Sequence, residues 1–165
     1  MLRRIKKVRG NVLVWLTHRV ALPILLLIRK PKEFEYSLND LHDLSDGSLG
    51  KELALFIEAN GLHLLKYYEK HDIKHVLFGY PSTEEGEVCL QFFMLGNGHV
   101  SFPVLITVIF GLLFMPEYYS LFIKAYKRGK RTPALKNVEW FDLVPQQLAA
   151  IRNQYQLTIN STSCK

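Results

Sequence analysis

The sequence predicts an all-α protein that forms a single-domain helical bundle over residues 1–165. Apolar residues recur at intervals of three and four along several stretches, and Gly and Pro residues separate those stretches. No alternating pattern of useful length indicates a strand. A chain of 165 residues can enclose one core but is short for two. With 48% apolar and 22% charged residues, the composition is that of a folded rather than a disordered protein.

The N-terminal part, residues 1–30, is predicted to form a basic and apolar helix. Five basic residues among the first nine precede the apolar run NVLVWLTHRVALPILLLI. This run resembles a signal sequence, but His18, Arg19 and Pro23 interrupt it and no small-residue cleavage site follows. We therefore expect a helix at a membrane surface rather than a cleaved leader.

Two helices are expected next. Ser37 can cap a short helical turn in YSLNDLHDL, and Ser48 can cap a helix that starts at Leu49. The pair Asn60-Gly61 is a typical end for this second helix because both residues tolerate the left-handed conformation.

A helical hairpin is predicted around the middle of the chain. Its first helix is the stretch LHLLKYYEKHDIKHVLFGY, which begins at Leu62 and which Gly79 and Pro81 stop. Ser82, with Glu85 three residues later, has the spacing of a capping box and predicts the start of the second helix. The chain should therefore reverse within a few residues.

A very apolar helix pair follows. Residues 100–115, VSFPVLITVIFGLLFM, form an uninterrupted apolar run of about 16 residues, short of the roughly 20 needed to cross a bilayer. After Pro116 and Glu117 comes a second apolar stretch, YYSLFI. We expect a buried or lipid-lining pair here rather than a membrane span, and a terminal amphipathic helix beyond Pro145.

The formal net charge of +6 is concentrated in two basic clusters, one in the first nine residues and one at residues 124–131. Nucleic acid is normally met by basic residues interleaved with aromatic residues on a recognisable reading element, and neither cluster matches such a motif, so nucleic acid is not an expected partner. An anionic membrane surface suits them better, because each Lys or Arg near such a surface contributes roughly 1 kcal/mol. The alternative is solvated charge that keeps an apolar protein in solution.

The segment HDIKH, residues 71–75, carries two histidines one helical turn apart. In an α-helix His71 and His75 differ by about 40° around the axis, and Asp72 lies about 100° from His71. All three side chains are therefore predicted to point into one sector.

Glu87 follows twelve residues after His75, on the other side of the predicted turn. His75 lies roughly 6 Å of helix rise before Gly79, and Glu87 lies roughly 7.5 Å after Ser82. A reversing pair of helices would place these two side chains at the same depth.

Two imidazoles and two carboxylates form a mixed shell that suits a divalent metal, zinc first. Manganese and iron are tolerable in such a shell, magnesium less so, and a position is left for water or substrate. The alternative is that each side chain is simply solvated. The zinc-protease pattern HExxH is not matched, because Asp72 is one methylene shorter than its glutamate. An HD-type metal phosphohydrolase stays open, with His42 or His63 and Asp142 as its further ligands.

The stretch HDIKHVLFGYPSTEEGE resembles the signature of the coenzyme Q biosynthesis protein 4 family, which reads His-Asp, any two, His, any eleven, Glu. Residues 47–50, Gly-Ser-Leu-Gly, resemble the family's Gly-Thr-Leu-Gly helix start, and the resemblance extends over residues 35–157. Gly96-Asn97 stands where the family usually has a glutamine. Four residues fill the signature positions: His71, Asp72, His75 and Glu87.

The resemblance implies an α-helical protein of ubiquinone biosynthesis that binds a divalent metal through these four residues. It implies an isoprenoid lipid or polyprenylated quinone precursor between apolar helices, and it assigns no catalytic residue. The implied activity is that of a lyase, the oxidative removal of a carboxylate from ring carbon one of a polyprenylated benzoate precursor. The alternative is a non-catalytic, lipid-binding scaffold. The expected lipid-binding residues are Phe92, Phe102, Leu105, Ile106, Ile109, Phe110, Leu113 and Phe114.

The expected surroundings follow from the same resemblance and from the cysteines. Cys89 lies in a helical pattern and Cys164 is the penultimate residue, so they predict a reducing compartment rather than a disulfide. The resemblance implies a peripheral protein on the inner face of a membrane, in a bacterial cytosol or at the mitochondrial inner membrane. Other enzymes of the quinone pathway are the implied partners, and a homo-oligomer is compatible with the sequence.

Overall fold

A computed structural model describes Arg9, Val12 and residues 32–157 of this chain. Residues 32–157 contain seven α-helices and no named strand, so the all-α prediction is confirmed. The helix predicted over residues 1–30 otherwise lies outside the described residues. The α-helices are α1 (Leu38–His42), α2 (Leu49–Ala59), α3 (Glu69–Phe78), α4 (Glu84–Gly96), α5 (Phe102–Phe114), α6 (Tyr119–Arg131) and α7 (Leu148–Gln154). Short 3-10 helices cover Pro116–Tyr118 and Trp140–Leu143.

Helix α3 is shorter than the sequence pattern predicts. The prediction of a helix from Leu62 was wrong, because residues 62–65 are irregular and Tyr67 has a left-handed φ of 72°. Leu62 and Leu65 are exposed, so an extended helix would bury little apolar surface with them. Helical hydrogen bonding begins only where His71 and Asp72 donate their amide N–H groups to the carbonyl of Tyr68.

The turn between α3 and α4 is built from a glycine and a threonine. Gly79 ends α3 at a φ of 71°, a conformation that costs glycine little, and its N–H donates to the carbonyl of His75. Thr83 caps α4 by accepting the N–H of Gly86. The prediction of Ser82 as the cap was therefore wrong by one residue. The Ser82 hydroxyl instead donates to Asn60 Oδ1 at 2.6 Å, which ties the turn to the end of α2.

Helices α4 and α6 cross with their backbones in contact. A Cβ atom on Gly129 would lie 2.0 Å from the Phe93 carbonyl oxygen, and one on Gly96 would lie 2.1 Å from that of Tyr126. Neither position can hold a side chain unless the helices move apart. Glycines on both helices therefore set the closeness of this crossing.

The predicted apolar pair corresponds to α5 and α6, which are bent by 103° at their junction. No helix of the described residues is by itself both long and apolar enough to cross a bilayer, whereas this bent pair reaches the required length and composition together. One side of α5 packs inward through Val104, Val108 and Phe110.

The C-terminal part of the described chain closes over the start of α2. The amide N–H groups of Leu49 and Gly50 donate to the carbonyls of Gln146 and Val144, each at 2.8 Å. The N–H of Leu148 returns a bond to the carbonyl of Gly47 at 2.9 Å. Helix α7, which was predicted beyond Pro145, is thereby held against the rest of the fold.

Replacement of Gly129 by Ala is expected to lower the free energy of unfolding by about 1–3 kcal/mol. In an isolated helix, alanine is more favourable than glycine by about 1 kcal/mol. A lower free energy of unfolding would therefore show that the clash at the helix crossing outweighs this helix preference. Urea denaturation measures the difference. Lys127→Ala, at an exposed position of the same helix, is the matched control and should stay within about 0.5 kcal/mol of the parent. A Gly129→Ala protein as stable as the parent would contradict the close crossing.

Candidate metal centre

Three side-chain donor atoms converge between α3 and α4. Nε2 of His71 lies 3.0 Å from one carboxylate oxygen of Glu87, and Nε2 of His75 lies 3.0 Å from the other. The two ring nitrogens are themselves 3.0 Å apart. These atoms form the only group of three or more potential metal ligands within 4.8 Å of one another that the described part of the chain contains.

The hydrogen bond of His75 to the backbone leaves Nε2 of a neutral His75 ring without a hydrogen. Nδ1 of His75 lies 3.0 Å from the backbone carbonyl of Tyr80, which can only accept, so Nδ1 carries the hydrogen. In a neutral ring Nε2 then has only a lone pair, and it faces a carboxylate oxygen of Glu87 and the ring nitrogen of His71. The contact between Nε2 of His75 and Glu87 then joins two acceptors unless His75 carries a second proton or a metal ion lies between them, whereas Nε2 of His71 donates or accepts according to its tautomer.

Aromatic rings fix both imidazoles from outside the cluster. The His75 ring stacks on Phe56 of α2 with centroids 5.8 Å apart, and the edge of His71 meets Tyr68 at 5.2 Å. The two histidine rings are steeply inclined to each other, by 70°. Such packing holds the donor atoms in place without requiring an ion to assemble them.

The charges of the cluster support one another. Burial would raise the pKa of Glu87, but the imidazoles of His75 and His71 outweigh it and hold that pKa well below its ordinary value. Burial would likewise lower the pKa of His75, yet the Glu87 carboxylate and the hydrogen bond to Tyr80 raise it. The cluster therefore has a strong preference for one positive charge beside the carboxylate.

The geometry suits a small divalent cation. Zinc binds imidazole nitrogen and carboxylate oxygen at about 2.0–2.2 Å in tetrahedral sites, which places neighbouring donors about 3.3 Å apart. The observed 3.0 Å separations lie close to this value. Two histidines and one glutamate form a donor set of catalytic zinc sites, and they leave a fourth position for water or substrate.

Asp72 is the predicted ligand that the structure does not bring into this group. Its carboxyl group is buried, which raises its pKa to about 6 even though His71 and His75 act in the opposite direction. Glu69, at the start of α3, is buried as well and contributes to the raised pKa. Asp72 thus lies beside the cluster as a carboxyl group that can hold a proton near neutrality.

The additional ligands considered for a phosphohydrolase lie elsewhere. His42 on α1 pairs with Glu58 at 2.8 Å, and His63 is exposed in the irregular segment before α3. Asp142 is exposed and lies 3.8 Å from Lys32. None of them belongs to the converging group, so the described residues offer no HD-type ligand set.

The eight residues expected to bind lipid divide between the core and the surface. Phe92 and Phe110 are buried, with Phe92 stacked on Phe122 at 4.9 Å, and Ile106 is half-buried. A lipid on the outside of α5 would not reach Phe92 or Phe110. The remaining five are exposed on α5: Phe102, Leu105, Ile109, Leu113 and Phe114.

Two contributors to the site escaped the sequence analysis. The Tyr80 carbonyl, which orients His75, carries no side-chain signal; its only clue is its place directly after the helix-ending Gly79. Arg9 donates to Glu84 at 2.9 Å and to Glu117 at 2.6 Å, and so links the first turn of α4 to the α5–α6 junction. Nothing in the spacing of these three residues indicates that they meet.

Sequence comparisons relate this chain to known proteins. A sequence profile described as "Coenzyme Q (ubiquinone) biosynthesis protein Coq4" matches residues 64–161. A rat "Ubiquinone biosynthesis protein COQ4 homolog, mitochondrial" is 26% identical over 145 residues, which cover 71% of this chain and 53% of the relative. A Komagataella phaffii "Ubiquinone biosynthesis protein COQ4, mitochondrial" is 26% identical over 157 residues, or 78% of this chain and 51% of the relative. The chain thus spans about half the length of these curated relatives.

A solved structure shares the fold. It is the crystal structure of a protein from Nostoc punctiforme that is provisionally named a ubiquinone biosynthesis protein. It superposes with a TM-score of 0.63 at 21% identity, covering 94% of this chain and 82% of the other. The matching profile extends over more than half of the chain and includes all three converging ligands as well as Asp72. The chain therefore belongs to the coenzyme Q (ubiquinone) biosynthesis protein Coq4 family.

Proposed function

We propose that this protein acts in ubiquinone biosynthesis as a metal-dependent protein that binds a polyprenylated ring precursor. The observation that carries the proposal is the convergence of two imidazoles and a carboxylate, each pair 3.0 Å apart, on a chain of this family. The pathway comes from the family and from the names of the relatives. The metal is inferred from the arrangement of the potential ligand atoms of His71, His75 and Glu87.

The cluster has a closed side and an open side. The His75 side chain is 1% exposed, whereas those of His71 and Glu87 are 23% and 31% exposed. A precursor would therefore approach past His71 and Glu87. A divalent cation held there would bind the ring carboxylate or phenolate and stabilise its negative charge, which is worth several kcal/mol in a site shielded from water. Asp72, which is buried next to these ligands on α3, could exchange a proton with the bound ring.

The reaction we propose is oxidative decarboxylation at ring carbon one. The carboxylate leaves as carbon dioxide and a hydroxyl group takes its place, which requires an external oxidant such as dioxygen. The residues of this chain would hold the ring by its carboxylate and keep Asp72 close enough to supply or accept a proton. Zinc fits the donor set, and Fe²⁺ fits it as well, since non-haem iron oxygenases use two histidines and one carboxylate.

A structural role of the ion is the second candidate function. The ligands join α3 to α4, and the buried position of His75 makes the cluster part of the core. In that case the protein would be a lipid-binding scaffold for other enzymes of the pathway, and the ion would stabilise the fold without chemistry.

The isoprenoid tail is assigned to the exposed apolar side of α5. Leu113 is 67% exposed and Ile109 is 54% exposed, values that are high for large apolar residues in a folded protein. Phe102, Leu105, Ile109 and Leu113 fall within roughly 80° around the helix axis. Each methylene-sized group of the tail that packs there would contribute about 0.8 kcal/mol.

Helix α6 supports a peripheral position on an anionic membrane. Its exposed Tyr119, Ile123 and Tyr126 lie within roughly 60° of one another around the axis. The neighbouring face of α6, roughly 100° further around the axis, carries exposed Lys124, Lys127 and Arg131. Apolar and basic faces side by side are typical of helices that lie in the membrane interface. We therefore propose the inner face of the membrane, the mitochondrial inner membrane in a eukaryote, as the location.

Substitution of the proposed ligands should remove both the metal and the function. His75→Ala and Glu87→Gln are expected to lose stoichiometric metal, measured by elemental analysis, and to leave a Coq4-deficient strain without ubiquinone. His63→Ala removes an exposed histidine and is the control, which should keep both. If both site variants retained one equivalent of metal, the proposed centre would be wrong. Ubiquinone loss that merely follows the loss of stability would favour the structural role.

Metal affinity should rise with pH. The pKa of His75 is raised in the metal-free protein, so a proton occupies the cluster up to a higher pH than on an ordinary imidazole, and the ion must displace it. Below that pKa the apparent zinc affinity should increase about tenfold per pH unit, as expected for release of one proton. Competition with a chelating indicator between pH 6 and 8 measures it. An affinity that is constant over this range would contradict the proton-held cluster.

Removal of basic charge from α6 should weaken membrane binding. The double variant Lys124→Gln/Lys127→Gln is expected to bind vesicles of anionic phospholipid about 30-fold less tightly at low salt, because each charge contributes roughly 1 kcal/mol. The variant Lys32→Gln/Lys66→Gln loses the same net charge at exposed positions away from this helix. Vesicle sedimentation compares them. Equal weakening in both pairs would show that net charge, and not the α6 surface, attracts the membrane.

A further inference from the structure

An arginine on α6, a helix distant in sequence, contacts the turn that follows α3. Nη1 of Arg128, on α6, donates to the carbonyl of Phe78 at 2.8 Å. Its guanidinium carbon lies 5.3 Å from the ring centroids of both Tyr80 and Phe93. One side chain therefore contacts the last residue of α3, the second residue beyond it and a ring of α4.

The remaining nitrogens of this guanidinium serve no hydrogen bond in the described structure. Nε and Nη2 of Arg128 are buried and lack an acceptor. Their surroundings are ring faces, which attract a planar cation electrostatically. Arg128 thus contacts the ring of Tyr80 and the backbone carbonyl of Phe78. Within the described residues it forms no salt bridge with an acidic side chain.

The turn held in this way sets the orientation of His75. The carbonyl of Tyr80 lies 3.0 Å from Nδ1 of His75, and the N–H of Tyr80 donates back to the His75 carbonyl at 3.1 Å. A small rotation of the Tyr80 peptide would remove the acceptor from Nδ1. The ring could then carry its hydrogen on Nε2, the nitrogen that faces Glu87 and His71.

A second arginine provides an internal comparison. Arg152, on α7, donates to the carbonyls of Leu77 and Val76 at 3.1 and 2.8 Å. These carbonyls belong to the same helix end, where positive charge is favourable. Arg152 thus bonds to carbonyls up to Leu77, the residue before Phe78, and not to the turn itself.

We propose that Arg128 is a positioning residue for His75. It fixes the turn of residues 78–80, so that the Tyr80 carbonyl holds the hydrogen on Nδ1 and the lone pair of Nε2 points at the cluster. This assignment rests on the proposed metal function for its consequence, a tighter metal site. The orientation of His75 itself does not depend on that function.

The test compares Arg128→Met with Arg152→Met, each of which removes one guanidinium from the end of α3. Ring ¹⁵N shifts of His75 in metal-free protein, at a pH where the ring is neutral, report which nitrogen carries the hydrogen. Zinc affinity is measured on the same samples. Arg128→Met should show a mixture of both tautomers and an affinity lower by about 10–100-fold, the usual effect of removing an outer-shell partner. Arg152→Met should lose stability while keeping the parent's tautomer and affinity.

Arg128→Lys covers the case in which the methionine variant fails to fold. Lysine keeps the charge and a donor for Phe78 but has no planar group to lie between two rings, so its zinc affinity should be intermediate. The proposal is overturned if Arg128 variants keep the parent's tautomer and affinity, or if Arg152→Met lowers the affinity equally. Parent protein that binds no zinc would overturn the metal function instead, and the ¹⁵N comparison would still decide the role of Arg128.

Discussion

The donor atoms of His71, His75 and Glu87 that could bind a metal meet at one point, and this is the constraint on which the rest of the structure depends. A neutral His75 with its hydrogen on Nδ1 turns a lone pair toward a carboxylate oxygen of Glu87 at 3.0 Å, and these two acceptors repel each other unless a proton or a metal ion lies between them. The fold nevertheless enforces the meeting. A left-handed glycine reverses the chain, Tyr80 fixes the hydrogen on the far side of His75, and Phe56 stacks against the same ring. The same contacts that fold α3 against α4 therefore place the three donor atoms where the proposed metal ion would bind.

The apolar pair is joined to this cluster through α4 and through Arg9. Gly111 of α5 lies so close to α4 that a Cβ atom would meet the Val88 side chain at 2.4 Å, and α6 crosses α4 with its backbone at Gly129. Arg9 bridges Glu84, one turn before Glu87, to Glu117 at the α5–α6 junction. The Arg9 and Glu84 side chains are both largely buried, so removing either partner would weaken the compensation of a buried charge. The proposed lipid-contacting surface and the proposed metal site thus both pack against α4.

Much of the site could be predicted from the sequence, because helix geometry is local. The spacing of His71 and His75 fixes their common face, and a short turn brings Glu87 to them. Asp72 stays a predicted ligand: it does not belong to the converging group, and an angle around the axis does not tell how far a short side chain reaches. The start of α3 depends on the left-handed φ of Tyr67 and on the exposure of Leu62 and Leu65, which the sequence pattern does not reveal. The sequence also offers two adjacent hydroxyl residues, Ser82 and Thr83, as the cap of α4, and their spacing does not decide between them. Arg9 and Arg128 act across more than 45 residues of sequence, where no periodicity reports a contact.

The most direct test of the central claim is the coordination shell of the ion itself. Zinc K-edge X-ray absorption on parent protein loaded with one equivalent of zinc should show only nitrogen and oxygen neighbours at about 2.0–2.2 Å, two of them with the outer-shell scattering of imidazole. A shell with a sulfur neighbour at about 2.3 Å, or with fewer than two imidazoles, would contradict the account.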